Sequence, residues 1–422
     1  MSEKFIIKGG APLNGVVEIN GYKNSAGACL AATLLTDEEV ILDNLPLVED
    51  IFKMINILES MGVKISWLDR RKIKVKAGSN VNVDKMNLGP VSETRVSVLL
   101  IGSLISRFGK FKICHPGGDR IGVRPITTHL EALKKLGAKI ENQDDFYIFN
   151  GGNLKGKEVV LKEFSVTATE NLMMAAATAP GKTIIKGAAA EPQIQDLGFL
   201  LKKMGAKIAG LGTNTILIEG VEKLRGTTHK IIPDLIEAGT FIVAGALTPE
   251  SSLEIRNLIP EHLDIFLDKL EEIGVNLEKG RDVVKVKYSP DLKATRVQAL
   301  PYPGFPTDLL PIIIPLLTQA KGKSLIHDPL YENRFNYIQE LKKMGADIEV
   351  VDPHRVFVYG KTPLLGLRIE SWDIRAGASL VLAGLIASGK TMIENVHQID
   401  RGYERIDERL QKLGADIKRV NI

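Results

Sequence analysis

The chain has 422 residues, a net charge of +4 and 44% hydrophobic residues, enough for two or three domains with cores of their own and ordinary for a soluble globular protein. So weak a positive excess, without a block of five or six basic residues, argues against nucleic acid and suits anionic small molecules. Its two cysteines, Cys29 and Cys114, lie in apolar runs, which speaks against a disulfide framework and fits a reducing cytoplasm. The first eight residues lack the apolar core of a signal peptide. No run reaches the ~18 apolar residues of a spanning helix; the nearest, Leu309 to Leu317, is short and holds two prolines.

From the amino end onward, one unit returns six times. A turn-forming residue (Asp37, Gly109, Gly181, Ser251, Gly322, Gly389) is followed four positions on by an isoleucine (Ile41, Ile113, Ile185, Ile255, Ile326, Ile393), with about 70 residues between successive isoleucines. Eighteen residues ahead of each isoleucine stands a polar side chain: Lys23, Arg95, Thr167, Glu237, Asp308 and Arg375. The intervening segments are almost wholly apolar or small. Two of them, Val96 to Ile105 and Ser379 to Ile386, read as helices apolar on every side, which must be enclosed by protein.

Each unit also predicts a second, amphipathic helix. Ile51, Met54, Ile55, Leu58 and Met61 have helical spacing, and the helix stops at Gly62. The same ending recurs at Gly137, Gly205, Gly274, Gly345 and Gly414, and predicts a glycine in the left-handed cap position. Short alternating stretches follow, such as Ala138-Lys-Ile140 and Ala346 to Val350, which read as strands with one buried face. Helix amino termini attract anions, so the six polar residues are candidates for a site. Each could also be a simple cap or ion-pair partner, and Thr167 and Glu237 have no reinforcing neighbours.

The second unit is interrupted after Ile113 by His115-Pro-Gly-Gly-Asp-Arg-Ile-Gly-Val-Arg-Pro125, which has no counterpart in the others. Its three glycines and two prolines make a long turn able to bring N–H groups to a ligand, and it carries Asp119, Arg120 and Arg124. Loops on a rigid scaffold commonly carry function. Further concentrations are Pro303 to Asp308, Tyr331 to Phe335 and Ile399 to Arg405, the last readable as a solvated helix start with paired charges. The seven histidines show no metal-ligand spacing. There is no phosphate-binding Walker loop or dinucleotide fingerprint, and no nucleophile elbow.

These residues resemble the enolpyruvyl transferase family from Ile7 to the carboxyl end. The resemblance rests on Gly21-Tyr-Lys-Asn24, Pro116 to Pro125, Phe305-Pro-Thr-Asp308, Glu332-Asn-Arg-Phe335, Asp373-Ile-Arg-Ala376 and His397 to Arg405. It implies an inside-out α/β barrel of two domains, each with three of the six repeats around three buried helices. Residues 23–232 would form the first domain, carrying the mobile Pro-Gly-Gly-Asp loop, and 1–22 plus 233–422 the second, with the active site in the cleft between them. Sequence alone would have given 1–22 to the first. The implied reaction moves the enolpyruvyl group of phosphoenolpyruvate to the 3'-hydroxyl of UDP-N-acetylglucosamine, without cofactor or metal. It would serve peptidoglycan synthesis, and with it cell shape and division. The resemblance gives Lys23, Asn24, Arg124 and Arg401 to phosphoenolpyruvate, with Arg334 and Arg375 near its carboxylate. It gives Arg95, Arg120, Pro125, Ile126, Thr127, Thr128, Ser165, Val166, Thr167 and Leu330 to the UDP-sugar. Asp308 would accept the hydroxyl proton, and Asp119 would donate one. Small molecules, not nucleic acid or membrane, are the implied partners, and a monomer is favoured.

Three positions depart from the family pattern. Asp119 stands where many members have cysteine. As a proton donor it needs a pKa above the usual ~3.9; Arg120 and Arg124 oppose this and a bound polyanion favours it. A carboxylate also forms no thioether with epoxide inhibitors such as fosfomycin, which implies intrinsic resistance. Tyr22 stands where alanine is usual, and Glu163 where a basic residue often contacts UDP, with Lys162 as a possible substitute. The competing readings are the shikimate 3-phosphate enzyme of the same fold, whose Gly-Asn-Ala-Gly-Thr-Ala motif is missing, and a catalytically silent UDP-sugar-binding protein.

Overall fold

The computed structural model describes residues 3–118 and 121–421. Among these the chain divides into two compact units, one of residues 21–118 and 124–232, the other of 3–20, 121–123 and 233–421. Among the described residues each unit holds three sheets and a core of helices, and no sheet closes on itself.

In the first unit the core helices are Lys23–Ala32, Leu100–Arg107 and Val166–Ala176, nearly all of whose residues are buried. In the second they are Leu235–Leu247, Leu310–Leu317 and Ile374–Ile386. Pro311 stands in the first turn of Leu310–Leu317, where a backbone N–H has no partner within the helix, and Pro315 lies inside it. The six isoleucines fall in six strands: Glu39–Asp43, Lys110–Cys114, Lys182–Lys186, Ser252–Arg256, Gly322–His327 and Lys390–Glu394. Alternate residues of these strands are buried against the helices, as a period of two requires. The predicted cap glycines all take positive φ, from 92° at Gly62 to 117° at Gly137, a conformation in which a Cβ would crowd the backbone.

Five of the six isoleucine strands pair on one side with a parallel strand, for example Ile41 with Thr228 and Ile255 with Val17. Lys110–Cys114 belongs to a three-stranded sheet without a parallel neighbour. There the chain instead forms the short helix Leu88–Glu93, whose Leu88 carbonyl accepts from the Cys114 thiol at 3.6 Å. The repeat is thus modified on both sides of this strand, and the long loop leaves from its end.

One predicted helix differs from its expected form. Val96 to Ile105 begins as a 3-10 segment, Arg95–Leu99, and becomes α-helical only at Leu100. The cause is Asn171. Its side-chain oxygen accepts from Gly102 N at 2.6 Å and its amide donates to the Val98 carbonyl at 3.0 Å, replacing a rung of the helix ladder. A Cβ on Gly102 would meet the Asn171 carbonyl at 2.3 Å, so only glycine permits this approach.

Candidate functional site

All six polar residues of the repeat stand in the first turn of a core helix or of the 3-10 segment leading into it. What surrounds them differs between the two units.

In the first unit Lys23 opens its helix, buried, with Nζ 2.9 Å from Asp50 Oδ2, itself 1% exposed. Asp50 lies in the first turn of Glu49–Ser60, where a carboxylate also meets the positive helix end. It escaped the sequence reading; an acidic start to the amphipathic helix was the available signal. The next residue, Asn24, donates from Nδ2 to the Tyr22 hydroxyl at 3.2 Å, which gives the unusual tyrosine a definite partner. Arg95 Nη2 reaches the Pro125 carbonyl at 3.5 Å. At Gly118 (φ 127°) a Cβ would stand 2.4 Å from Arg124 Nη2 and 2.8 Å from Arg95 Cβ, so the loop backbone brings these two arginines together.

The segment assigned to the sugar nucleotide is also assembled in this unit. Ile126 caps the helix Thr127–Leu136 and is buried, while Pro125 and Thr127 are exposed. Ser165 caps Val166–Ala176, its Oγ accepting from Ala168 N at 3.3 Å. Thr167 Oγ1 lies 2.7 Å from His129 Nε2. His129 is 2% exposed, and burial, helped by Arg95, pushes it down to about 3, so it is neutral. Glu163 accepts from Thr128 Oγ1 at 2.6 Å. Lys162 pairs with Glu131 at 3.0 Å at the surface. Asp119 and Arg120 lie outside the described residues.

In the second unit Asp308 is held by two arginines: Arg334 Nη2 to Oδ1 at 2.9 Å and Arg375 Nε to Oδ2 at 3.1 Å. The arginine side chains are 2% and 4% exposed, the aspartate 29%. Burial pulls Arg334 down, but Asp308, Asp373 and Asp328 together hold its guanidinium above the ordinary arginine value. Thr307 and Asp328 complete its surroundings, with Arg334 Nε 3.2 Å from Thr307 Oγ1 and 3.5 Å from Asp328 Oδ2. Arg375 is set by Asp373, which caps its helix by accepting from Arg375 N and Ala376 N, each at 2.8 Å. Leu330 is exposed, on the turn that Asp328 fixes through Leu330 N at 2.9 Å.

The segment Ile399 to Arg405 is not the solvated helix start its charges suggested. Gly402, Tyr403 and Glu404 are buried, and the Tyr403 hydroxyl lies 2.8 Å from Thr240 Oγ1. Arg401 is half-buried, with Nη1 donating to Gln398 Oε1 at 3.0 Å. Glu237 also finds a partner: it pairs with Arg409 at 2.7 Å and accepts from Asn20 N at 3.0 Å. That tie fastens the amino-terminal segment to the second unit's core, a structural use of this polar mark.

Among the described residues, one buried group has metal-ligand atom spacing: Cys29, Asp196 and His229. Its atoms are engaged with each other and their neighbours. Asp196 takes His229 Nε2 at 2.9 Å, Ile232 N at 3.3 Å and the Ser25 hydroxyl, while Lys203 lies 3.4 Å from His229 Nδ1. The arrangement is a hydrogen-bonded core network beneath the Lys23 helix.

The comparisons with known proteins agree over nearly the whole chain. Residues 7–410 match the family of EPSP synthase (3-phosphoshikimate 1-carboxyvinyltransferase). The chain is 45% identical over 420 residues to a UDP-N-acetylglucosamine 1-carboxyvinyltransferase of Koribacter versatilis, covering 99% of this chain and 96% of that one. It is 44% identical over 425 residues to the protein of that name from Coxiella burnetii, with the same coverage. Among solved structures it is similar to the enolpyruvyl transferase NikO from Streptomyces tendae, with a TM-score of 0.90 and 26% identity across 100% of this chain and 99% of that one. An EPSP synthase from Acinetobacter baumannii shares the fold at a TM-score of 0.74, with 20% identity and full coverage of both chains.

Proposed function

The chain belongs to the EPSP synthase family of enolpyruvyl transferases, and from that premise we propose that it makes the enolpyruvyl ether of UDP-N-acetylglucosamine from phosphoenolpyruvate. This would be the first committed step of peptidoglycan precursor synthesis. The observation that carries the reading is likeness over 99% of the chain to relatives bearing that activity in their names. The TM-score of 0.90 to another enolpyruvyl transferase supports the inside-out α/β architecture on which it depends.

In this reading the sugar 3'-oxygen attacks C2 of phosphoenolpyruvate while Asp308 takes the hydroxyl proton and Asp119 protonates C3. The resulting tetrahedral ketal loses the C3 proton and its phosphate, which restores the double bond in the product. Lys23, Asn24, Arg124 and Arg401 hold the phosphate and carboxylate, since arginine suits bidentate anion contacts. Arg334 and Arg375 fix the base, and the buried position of both guanidiniums supports that duty. Arg95, Arg120, residues 125–128, residues 165–167 and Leu330 receive the sugar nucleotide. No helix among the described residues is long and apolar enough to cross a membrane. A cytoplasmic monomer acting on small molecules, with a part in cell-wall growth and division, completes the proposal.

The test is phosphate release with phosphoenolpyruvate and UDP-N-acetylglucosamine, with shikimate 3-phosphate as the second acceptor. Release with the UDP-sugar alone supports the proposal. Release only with shikimate 3-phosphate, or with neither acceptor, overturns it.

A further inference from the structure

A charge cluster that the proposed reaction does not use sits near the carboxyl end. Arg419, on the strand Asp416–Asn421, meets three carboxylates from three different segments. Its Nη1 and Nη2 take both oxygens of Asp400 at 2.8 and 2.7 Å. Its Nε and Nη2 take both oxygens of Asp407 at 3.1 and 3.0 Å. Nη1 also reaches Glu3 Oε2 at 2.7 Å, and the guanidinium carbon stands 4.9 Å from the centre of the Phe5 ring. The side chain is 17% exposed, so these bonds are partly shielded from water.

The two bidentate partners bracket one short stretch of chain. Asp400 ends the helix His397–Asp400, Arg401 caps it, and Asp407 lies in the first turn of Ile406–Lys412. Between them the backbone turns tightly, with Gly402 N and Tyr403 N both donating to the Ile399 carbonyl and Arg405 at φ 43°. A guanidinium fork fits two carboxylates at once, whereas an ammonium is a single point of charge.

We infer that Arg419 is a positioning residue for Arg401: by clamping Asp400 and Asp407 it fixes both ends of the turn that presents Arg401, and it keeps the adjoining carboxylate of Asp400 engaged. This rests on the assignment of Arg401 to phosphoenolpyruvate made above. Arg419 acts without touching substrate, so its loss is felt mainly in one substrate constant.

The experiment compares Arg419→Met, Arg419→Lys, Arg401→Ala and the Arg401→Ala/Arg419→Met double variant by steady-state kinetics on both substrates and by thermal melting. Arg419→Met is expected to raise KM for phosphoenolpyruvate about tenfold while KM for the UDP-sugar stays within twofold. Arg419→Lys should fall between it and the wild type. In the double variant KM for phosphoenolpyruvate should equal that of Arg401→Ala alone. A lowered Tm with unchanged KM for phosphoenolpyruvate, or independent multiplication of the two effects, overturns the inference. If Arg401→Ala itself leaves that KM unchanged, the assignment of Arg401 fails first. Should Arg419→Met not fold, Asp400→Asn, which keeps the partner's shape without its charge, must raise the same KM, and a wild-type value there overturns the inference.

Discussion

Asp308 is one carboxylate facing two buried guanidiniums, and removing it leaves both without that counter-charge. Breaking a buried ion pair from one side is strongly destabilising, while loss of a general base costs roughly 10²–10⁴ in rate. Asp308→Asn should therefore lose turnover by a factor in that range with a clear fall in Tm, and Asp308→Ala should melt lower still. Phosphate release and thermal melts check this; an Asp308→Asn enzyme within tenfold of wild type would remove Asp308 from the role of base. Asp119 invites a different comparison. Without a loop thiol, micromolar fosfomycin should cause no time-dependent inactivation, and Asp119→Cys should confer it. Asp119→Asn should slow turnover, because an amide donates no proton to C3. Sensitivity of the unaltered enzyme would show that the inhibitor does not need that position.

At the scale of elements, the repeat was legible because its signals are local: a cap glycine, an isoleucine four residues past a turn, a polar residue at a helix start. The partners of those polar residues were not, since Asp50 reaches Lys23 and Arg409 reaches Glu237 only through tertiary packing. Asn171 shows the same limit. An amide in an apolar helix gives no hint in sequence that it will replace a rung in a neighbour. The bond between His129 and Thr167 ties an outer helix to a core helix and has a consequence for acid stability. Folded His129 titrates near 3, against about 6.5 when unfolded. Between those values the unfolded chain binds a proton that the folded chain does not, so stability falls as pH drops from 6.5 toward 3, by up to about 1.4 kcal/mol per pH unit from this group. Wild type should lose denaturation midpoint between pH 7.5 and 4.5 more steeply than His129→Gln. Equal slopes would mean that His129 is not held neutral.

At the scale of the whole molecule, both thiols are free and both are pushed up by burial, Cys29 strongly, with Asp196 adding to the effect. Buried thiols react slowly. A thiol reagent should titrate at most one group in the native protein, Cys114, and two in denaturant, and reductant should leave Tm unchanged. Rapid reaction of two thiols in the native state would contradict the enclosed position of Cys29. The pairing of the amino-terminal strands has a consequence for how the protein is made. Strand Glu3–Lys8 lies between Lys390–Glu394 and Asp416–Asn421, and Asn14–Glu18 pairs with Ser252–Arg256. Domains fold as they emerge during synthesis, yet these early strands have no partners until hundreds of later residues have left the ribosome. Throughout that interval residues 3–18 are an unpaired pair of edges, open to misassociation. The sheet that contains Arg419 can be finished only after Asp416–Asn421 has been made.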